Sequence, residues 1–280
     1  MTTLPVPDDP GIPERDHGPV NLTVPVAAFF DVDNTLVRGA SIYHFARGLA
    51  ARNLFSPADV ARMTVRHLSF RVHGTEDLSQ VDAVRQAALA FVAGRRVADL
   101  VQLGEEIYHE TIASRIWEGT RELTERHLAA GEQVWLVTAT PIELAEILAR
   151  ELGLTGALGT IAEIEDGVYT GRLVGGLLHK EAKATAIRAL AEREGLDLTR
   201  CTAYSDSAND LPMLSLVGHP NVVNPDRRLR AEAERRGWPV HEFRSGRRAT
   251  AIVFLAAAGA GAIAGGAAAG LAIRRRRLST

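Results

Sequence analysis

Two aspartates, Asp31 and Asp33, stand one residue apart at the end of the apolar run "VPVAAFF", residues 24–30. The run is short, rich in Val and Phe, and reads as a buried strand. A carboxylate at the C-terminal end of a parallel strand points into the crevice where open α/β sheets bind ligands. Two acids that close repel, and a hard divalent cation is the economical neutraliser. Mg²⁺ accepts a few protein oxygens while keeping water and phosphate ligands. Such a site calls for a further acid at another strand end, and "CTAYSDSANDLPML" supplies Asp206 and Asp210 after a run ending at Tyr204. Each set also has a plainer reading, a turn at Asp31–Asp33 and a helix cap at Asp206 or Ser207. A calcium loop over "DVDNTLVRGASI" is disfavoured, because Leu36 falls where Gly is needed and Ile42 where Glu is needed.

Two more segments suit phosphate. "VWLVTATP" puts Thr138 at a strand end and opens a helix near Thr140 and Pro141, whose free N–H groups would face an anion. In "HKEAKATAI", Lys180 and Lys183 offer positive charge, although a lone helix lysine is usually solvated. The G-x-x-x-x-G-K-[ST], G-x-S-x-G and H-E-x-x-H patterns are all missing from the sequence, and His179 and His219 read as structural or exposed. The single cysteine, Cys201, excludes an internal disulfide and paired-thiol chemistry and fits a reducing compartment.

The elements that must position these residues alternate. After "GTRELTERHLAAG" come the strand "QVWLVT", the helix "PIELAEILARELG", and two strand-like runs around Asp166-Gly167, a hairpin signal. The helix "EAKATAIRALAEREG", the strand "CTAYS", the helix-prone "ANDLPMLSLVG", "NVVN", a helix around "RRLRAEAERRG" and "WPVHEF" follow. The fold expected is α/β: a doubly wound, mostly parallel sheet with helices on both faces. Residues 41–117 break the rhythm with helical periodicity, including Ser56 as N-cap, Pro57 at the first helical position and Asp59 in the first turn. The expected organisation is a leader over 1–22, a core from 23–40 and 118–245, and a helical cap over 41–117.

The leader has five prolines in its first twenty residues and no signal-peptide core, so it reads as disordered. Residues 249–273 carry no charge and precede Arg274–Arg277 in the tail 274–280. As a helix they would span roughly 37 Å, enough for a membrane core of about 30 Å. Gly261 and Gly265, like Gly266 and Gly270, have the spacing of packed membrane helices. A transmembrane helix anchoring a cytoplasmic catalytic domain is expected; the plainer alternative is a flexible Ala/Gly tail. Residues 227–248 hold eight arginines against three glutamates, which suits anionic lipid, whereas interleaved Glu232 and Glu234 and the net charge of −2 argue against nucleic acid.

With "DVDNT", "VTAT", "EAK" and "SDSAND" in this order, the sequence resembles the haloacid dehalogenase superfamily of hydrolases over about residues 24–245. The likeness is to its subfamily IB, the branch with a helical cap after the first strand that includes phosphoserine phosphatases. The resemblance implies Asp31 as nucleophile and Asp33 as general acid and base. It implies phosphate binding by Thr138, Ala139, Lys183 and Asn209, with Lys183 a better match than Lys180. Mg²⁺ would be held by Asp31, the Asp33 backbone carbonyl and Asp206, with Asp210 in support. The expected function is Mg²⁺-dependent hydrolysis of a small phosphomonoester through an aspartyl phosphate. Phosphoserine phosphatase proper, a phosphotransferase with the same intermediate, and a membrane-tethered binding module are the alternatives. Relatives acting on phosphoserine carry a glutamate nine residues after the nucleophile to meet the substrate amine; Ala40 stands there, which puts phosphoserine in doubt.

Overall fold

Ala27–Phe30 (β1) has all four side chains buried, as a central parallel strand covered on both faces requires. The computed structural model describes residues 24–52, 89 and 92–244. Around β1 the sheet continues with β2 (Gln133–Pro141), β3 (Gly156–Thr160), β6 (Thr202–Ser205), β7 (His219–Val223) and β8 (Val240–His241). The spatial order is β3-β2-β1-β6-β7-β8, and every pair is parallel. The chain winds outward from β1 in one direction and then, from β6, in the other. The crevice where that order reverses lies above β1 and β6, the strands that precede Asp31 and Asp206.

Seven helices are described: α1 (Ser41–Ala51), α2 (Val97–Ile107), α3 (Glu118–Ala129), α4 (Ile142–Glu151), α5 (Glu181–Glu194), α6 (Leu211–Leu214) and α7 (Arg227–Arg236). Alternate residues of β1 feed two cores. Ala28 and Phe30 pack with Leu136, Ile147 and Leu148 on one face, and Ala27 and Phe29 with Ile187, Leu190 and Met213 on the other. Between α1 and α4, α2 makes close approaches at two glycines. A Cβ on Gly48 would stand 2.5 Å from Ile107 Cγ1, and one on Gly104 would stand 2.8 Å from Ile147 Cδ1.

The Asp-Gly hairpin expected from the sequence is found: β4 (Ala162–Glu165) and β5 (Val168–Leu173) pair antiparallel, with φ of 50° at Asp166 and 77° at Gly167. Positive φ at both central residues is what a tight hairpin turn demands. Other boundaries differ. β2 runs on through Thr140 and Pro141, because Thr160 Oγ1 donates to Ala139 O at 2.7 Å and Pro141 pairs with Thr160. The helix therefore opens at Ile142, one residue after the expected Pro141, which serves as its N-cap. "ANDLPMLSLVG" yields only a 3₁₀ turn, Ala208–Asp210, and the four-residue α6, with the buried Asp210 side chain at their junction bonded to Lys183 and Ser205.

Within 41–117 the described residues form α1, α2, a π-helical turn Tyr108–Ile112 and a 3₁₀ turn Ala113–Arg115, with single bridges at Arg96 and Ile116. The Ser56 cap with Pro57 and Asp59, the leader, and the membrane span expected over 249–273 lie outside the described residues. Among the described residues no helix is long and apolar enough to cross a membrane.

Candidate active site

Asp31 leaves β1 into a tight turn. Its amide donates to Tyr204 O at 3.0 Å, and Leu36 N and Val37 N both donate to Val32 O at 2.9 Å. Asn34 takes φ of 60°, a left-handed conformation that Asn tolerates better than most residues. The turn folds Thr35 back so that its Oγ1 donates to Asp31 Oδ2 at 3.0 Å. It also carries Asp33 toward α1, where Asp33 Oδ1 accepts from Ser41 N at 2.8 Å and Ser41 Oγ at 2.6 Å.

Lys183, in the first turn of α5, is 3% exposed, and its position is set by two acids. Its Nζ lies 2.6 Å from Asp31 Oδ1 and 2.9 Å from Asp210 Oδ2. Ser205 Oγ holds the same Asp210 oxygen at 2.7 Å. The β1, β6 and α5 ends thus meet through one lysine. The other candidate, Lys180, caps the N-terminus of α5 with φ of 52° and is not the one paired with Asp31.

A second chain of contacts runs from the end of β2. Thr138 Oγ1 donates to Thr140 Oγ1 at 3.1 Å, and Thr140 Oγ1 and Ser41 Oγ are 2.7 Å apart. Because the Ser41 proton is directed to Asp33, Thr140 must donate to Ser41. The hydroxyls of Thr138, Thr140 and Ser41 therefore point their protons one way, toward the Asp33 carboxylate. Thr138 and Thr140 are buried. Asn209 sits half-buried in the 3₁₀ turn with its amide on Ser207 Oγ at 3.3 Å, and Ala139 is exposed on β2. Among the described residues no hydrogen bond joins either to the Asp31–Lys183 group.

Burial is the leading cause that pushes the Asp31 carboxyl up to about 7; Asp210 and Asp33 add to it and Lys183 opposes it. Asp206 is likewise held well above the usual carboxylate range by burial first, then by Asp31 and Asp210, against the opposing charge of Arg244. Burial works against the Lys183 ammonium, but Asp210 and Asp31 outweigh it and raise its pKa. One buried lysine thus serves a crowd of carboxylates, a donor set short of positive charge. A magnesium ion would supply that charge and needs only one or two carboxylates with carbonyl and water oxygens, which is the chemistry that Asp31, Asp206 and the Asp33 carbonyl would offer it. Among the described residues no three acid, histidine or cysteine side chains converge to hold an ion alone. Asp210, expected in support of the metal, is committed to Lys183 and Ser205.

Sequence reasoning gave no role to Thr35, Ser41 or Ser205. Thr35 belongs to "DVDNT", which was a usable signal. Ser41 and Ser205 are ordinary residues in the sequence, and only the folded chain brings them to Asp33 and Asp210.

Residues 28–215 match the family haloacid dehalogenase-like hydrolase. The chain is 55% identical to phosphoserine phosphatase SerB1 of Mycobacterium tuberculosis, covering 96% of this chain and 93% of that one. It is 32% identical to a histidinol-phosphatase of Neisseria meningitidis serogroup C, covering 78% of this chain and 98% of that one. Among solved structures, a protein of unknown function from Bordetella pertussis Tohama I superposes with a TM-score of 0.69 at 30% identity, covering 79% of this chain and 100% of that one.

Proposed function

The chain belongs to the haloacid dehalogenase-like hydrolase family and is a phosphatase, and from that premise we propose that it hydrolyses a phosphomonoester through an aspartyl phosphate on Asp31, with Mg²⁺. The observation that carries the reading is the buried pairing of Asp31 with Lys183 at 2.6 Å at the switch point of the sheet.

Asp31 attacks phosphorus as the bond to the leaving alcohol breaks, and Asp33 gives that alcohol its proton. Water then attacks the aspartyl phosphate, its proton passes to Asp33, and phosphate leaves with Asp31 restored. Lys183 offsets charge beside the nucleophile and the transferring phosphoryl group. Thr138 accounts for a phosphate ligand if its hydroxyl turns from Thr140 to the substrate, and Ala139 and Asn209 are assigned to the same phosphate. Asp31, Asp206 and the Asp33 carbonyl would hold Mg²⁺, which would supply further positive charge to the phosphoryl oxygens. The cap role is assigned to the segment 41–117, of which α1 and α2 are described.

The name of the mycobacterial relative makes phosphoserine the first substrate to measure. Ala40 argues for a different alcohol, because it is buried at the start of α1 and brings no carboxylate to meet an ammonium. The test is phosphate release with and without Mg²⁺ beside Asp31→Asn, together with quenched trapping of a hydroxylamine-sensitive phosphoenzyme. Turnover by Asp31→Asn at the parent rate would sink the nucleophile assignment.

A further inference from the structure

An apolar pocket of about 130 Å³ opens between α1, α2, the start of α4 and the β4–β5 hairpin. From α1 it is lined by Ile42, Phe45, Ala46 and Leu49, the i, i+3, i+4, i+7 stripe of one helix face. From α2 it is lined by Leu100, Gly104 and Ile107, and from the start of α4 by Pro141 and Leu144.

Three contacts place it beside the reacting groups. Ser41, which precedes Ile42, holds Asp33. Thr140, which precedes Pro141, bonds Ser41 at 2.7 Å. Thr160, in the pocket wall, donates at 2.7 Å to the carbonyl of Ala139, the residue between Thr138 and Thr140. The pocket wall thus includes Ile42 and Pro141, the residues next in the chain to the Ser41 and Thr140 that bond toward Asp33, while Asp33 itself is not part of the lining. Its lining includes no lysine, arginine or histidine among the described residues. Its one carboxyl, Glu143, is raised in pKa first by burial and is hydrogen-bonded to Tyr169, so the two strongest polar groups of the wall are spent on each other. Among the described lining residues a serine carboxylate and ammonium would meet no lysine, arginine or histidine, and no carboxyl other than the one bonded to Tyr169.

We propose that this pocket receives an apolar part of the leaving alcohol, so that the substrate is the phosphomonoester of an amphiphilic alcohol with an alkyl or ring group close to the phosphate. A dry cavity of about 150 Å³ holds one benzene ring, which sets the size of the group at about six carbons. The inference rests on the phosphatase reading of Asp31 and Asp33, and the experiment separates the two.

The full-length protein is assayed with Mg²⁺ on ethyl, butyl, hexyl and benzyl phosphate and on phosphoserine, all below micelle concentrations. Burial of each methylene predicts a rise in kcat/KM of about fourfold, continuing to about six carbons. Hexyl against benzyl phosphate tells a chain from a ring. Ala46→Leu, which narrows the pocket, lowers the hexyl-to-ethyl ratio by at least tenfold. Inhibition by the matching alkylphosphonates reads the pocket without chemistry, and it decides the matter even if that variant does not fold. Equal kcat/KM along the series with equal inhibition, or a preference for phosphoserine over hexyl phosphate, overturns the pocket assignment and leaves the phosphatase reading standing. Failure to hydrolyse any ester while hexylphosphonate still binds more tightly than ethylphosphonate overturns the phosphatase reading instead.

Discussion

Asp31 and Lys183, 152 residues apart in the chain, meet in a 2.6 Å ion pair with both side chains buried. The same ammonium reaches Asp210 at 2.9 Å, so this lysine ties the first strand to the turn after β6.

Removing that lysine leaves two buried acids facing each other. Lys183→Met is expected to abolish turnover and to destabilise the fold by about 3–5 kcal/mol near neutral pH, the usual cost of breaking a buried pair from one side. Urea unfolding of the variant beside the parent measures it. A change within the error of the extrapolation would show that the pair is not a structural tie.

The raised pKa of Asp31 sets a pH dependence. Its folded value, about 7, lies above the ordinary carboxylate value, so the folded state binds its proton more tightly than the unfolded state. The stability it contributes is fully present below about pH 4. It is lost as pH rises through its folded pKa of about 7. In the presence of a chelator, the stability of the parent relative to Asp31→Asn should therefore fall as pH is raised from 4 to about 8. Thermal unfolding of both proteins across that range tests the sign, and a difference that grows with pH would refute it.

How much of this was visible in the sequence follows from what each residue depends on. Asp31 and Asp206 directly follow β1 and β6, with Asp33 and Asp210 in the turns just beyond, and strand ends are legible from an apolar run that stops at an acid. The hairpin was legible because Asp166-Gly167 is a local signal. The helix expected from Pro141 starts one residue later, at Ile142, because Thr160, on β3, holds Ala139 and lengthens β2 through Pro141. No local pattern carries that tertiary contact. The choice of Lys183 over Lys180 rested on resemblance; in the folded chain burial separates them, Lys183 being 3% exposed.

The shortage of positive charge around Asp206 predicts a metal effect on stability that does not require turnover. Mg²⁺ at about a hundred times its dissociation constant should stabilise the parent by about 2.7 kcal/mol. Asp206→Asn should remove most of that gain. Thermal unfolding over a Mg²⁺ titration checks both, with Ca²⁺ as a comparison for size. An equal upward shift in the parent and in Asp206→Asn would place the ion elsewhere.

Ser41 offers a way to separate the leaving-group step from phosphate binding. Its amide and hydroxyl both hold Asp33 Oδ1, and the hydroxyl also receives the chain from Thr138 through Thr140. Ser41→Ala keeps the amide bond, so Asp33 stays near its place, but it loses a charge-assisted bond and leaves the Thr140 proton without its acceptor. Bonds to charged groups contribute about 1.5–3 kcal/mol, which if felt in the transition state corresponds to roughly a ten- to hundredfold fall in kcat. KM should change little, because Ser41 holds the acid and not the phosphate. Ser41→Thr, which restores a hydroxyl, should recover most of the rate. The effect should also shrink for an ester with a good leaving group such as p-nitrophenol, which needs less help from Asp33. An equal loss on good and poor leaving groups would make Ser41 a packing residue at the start of α1 and nothing more.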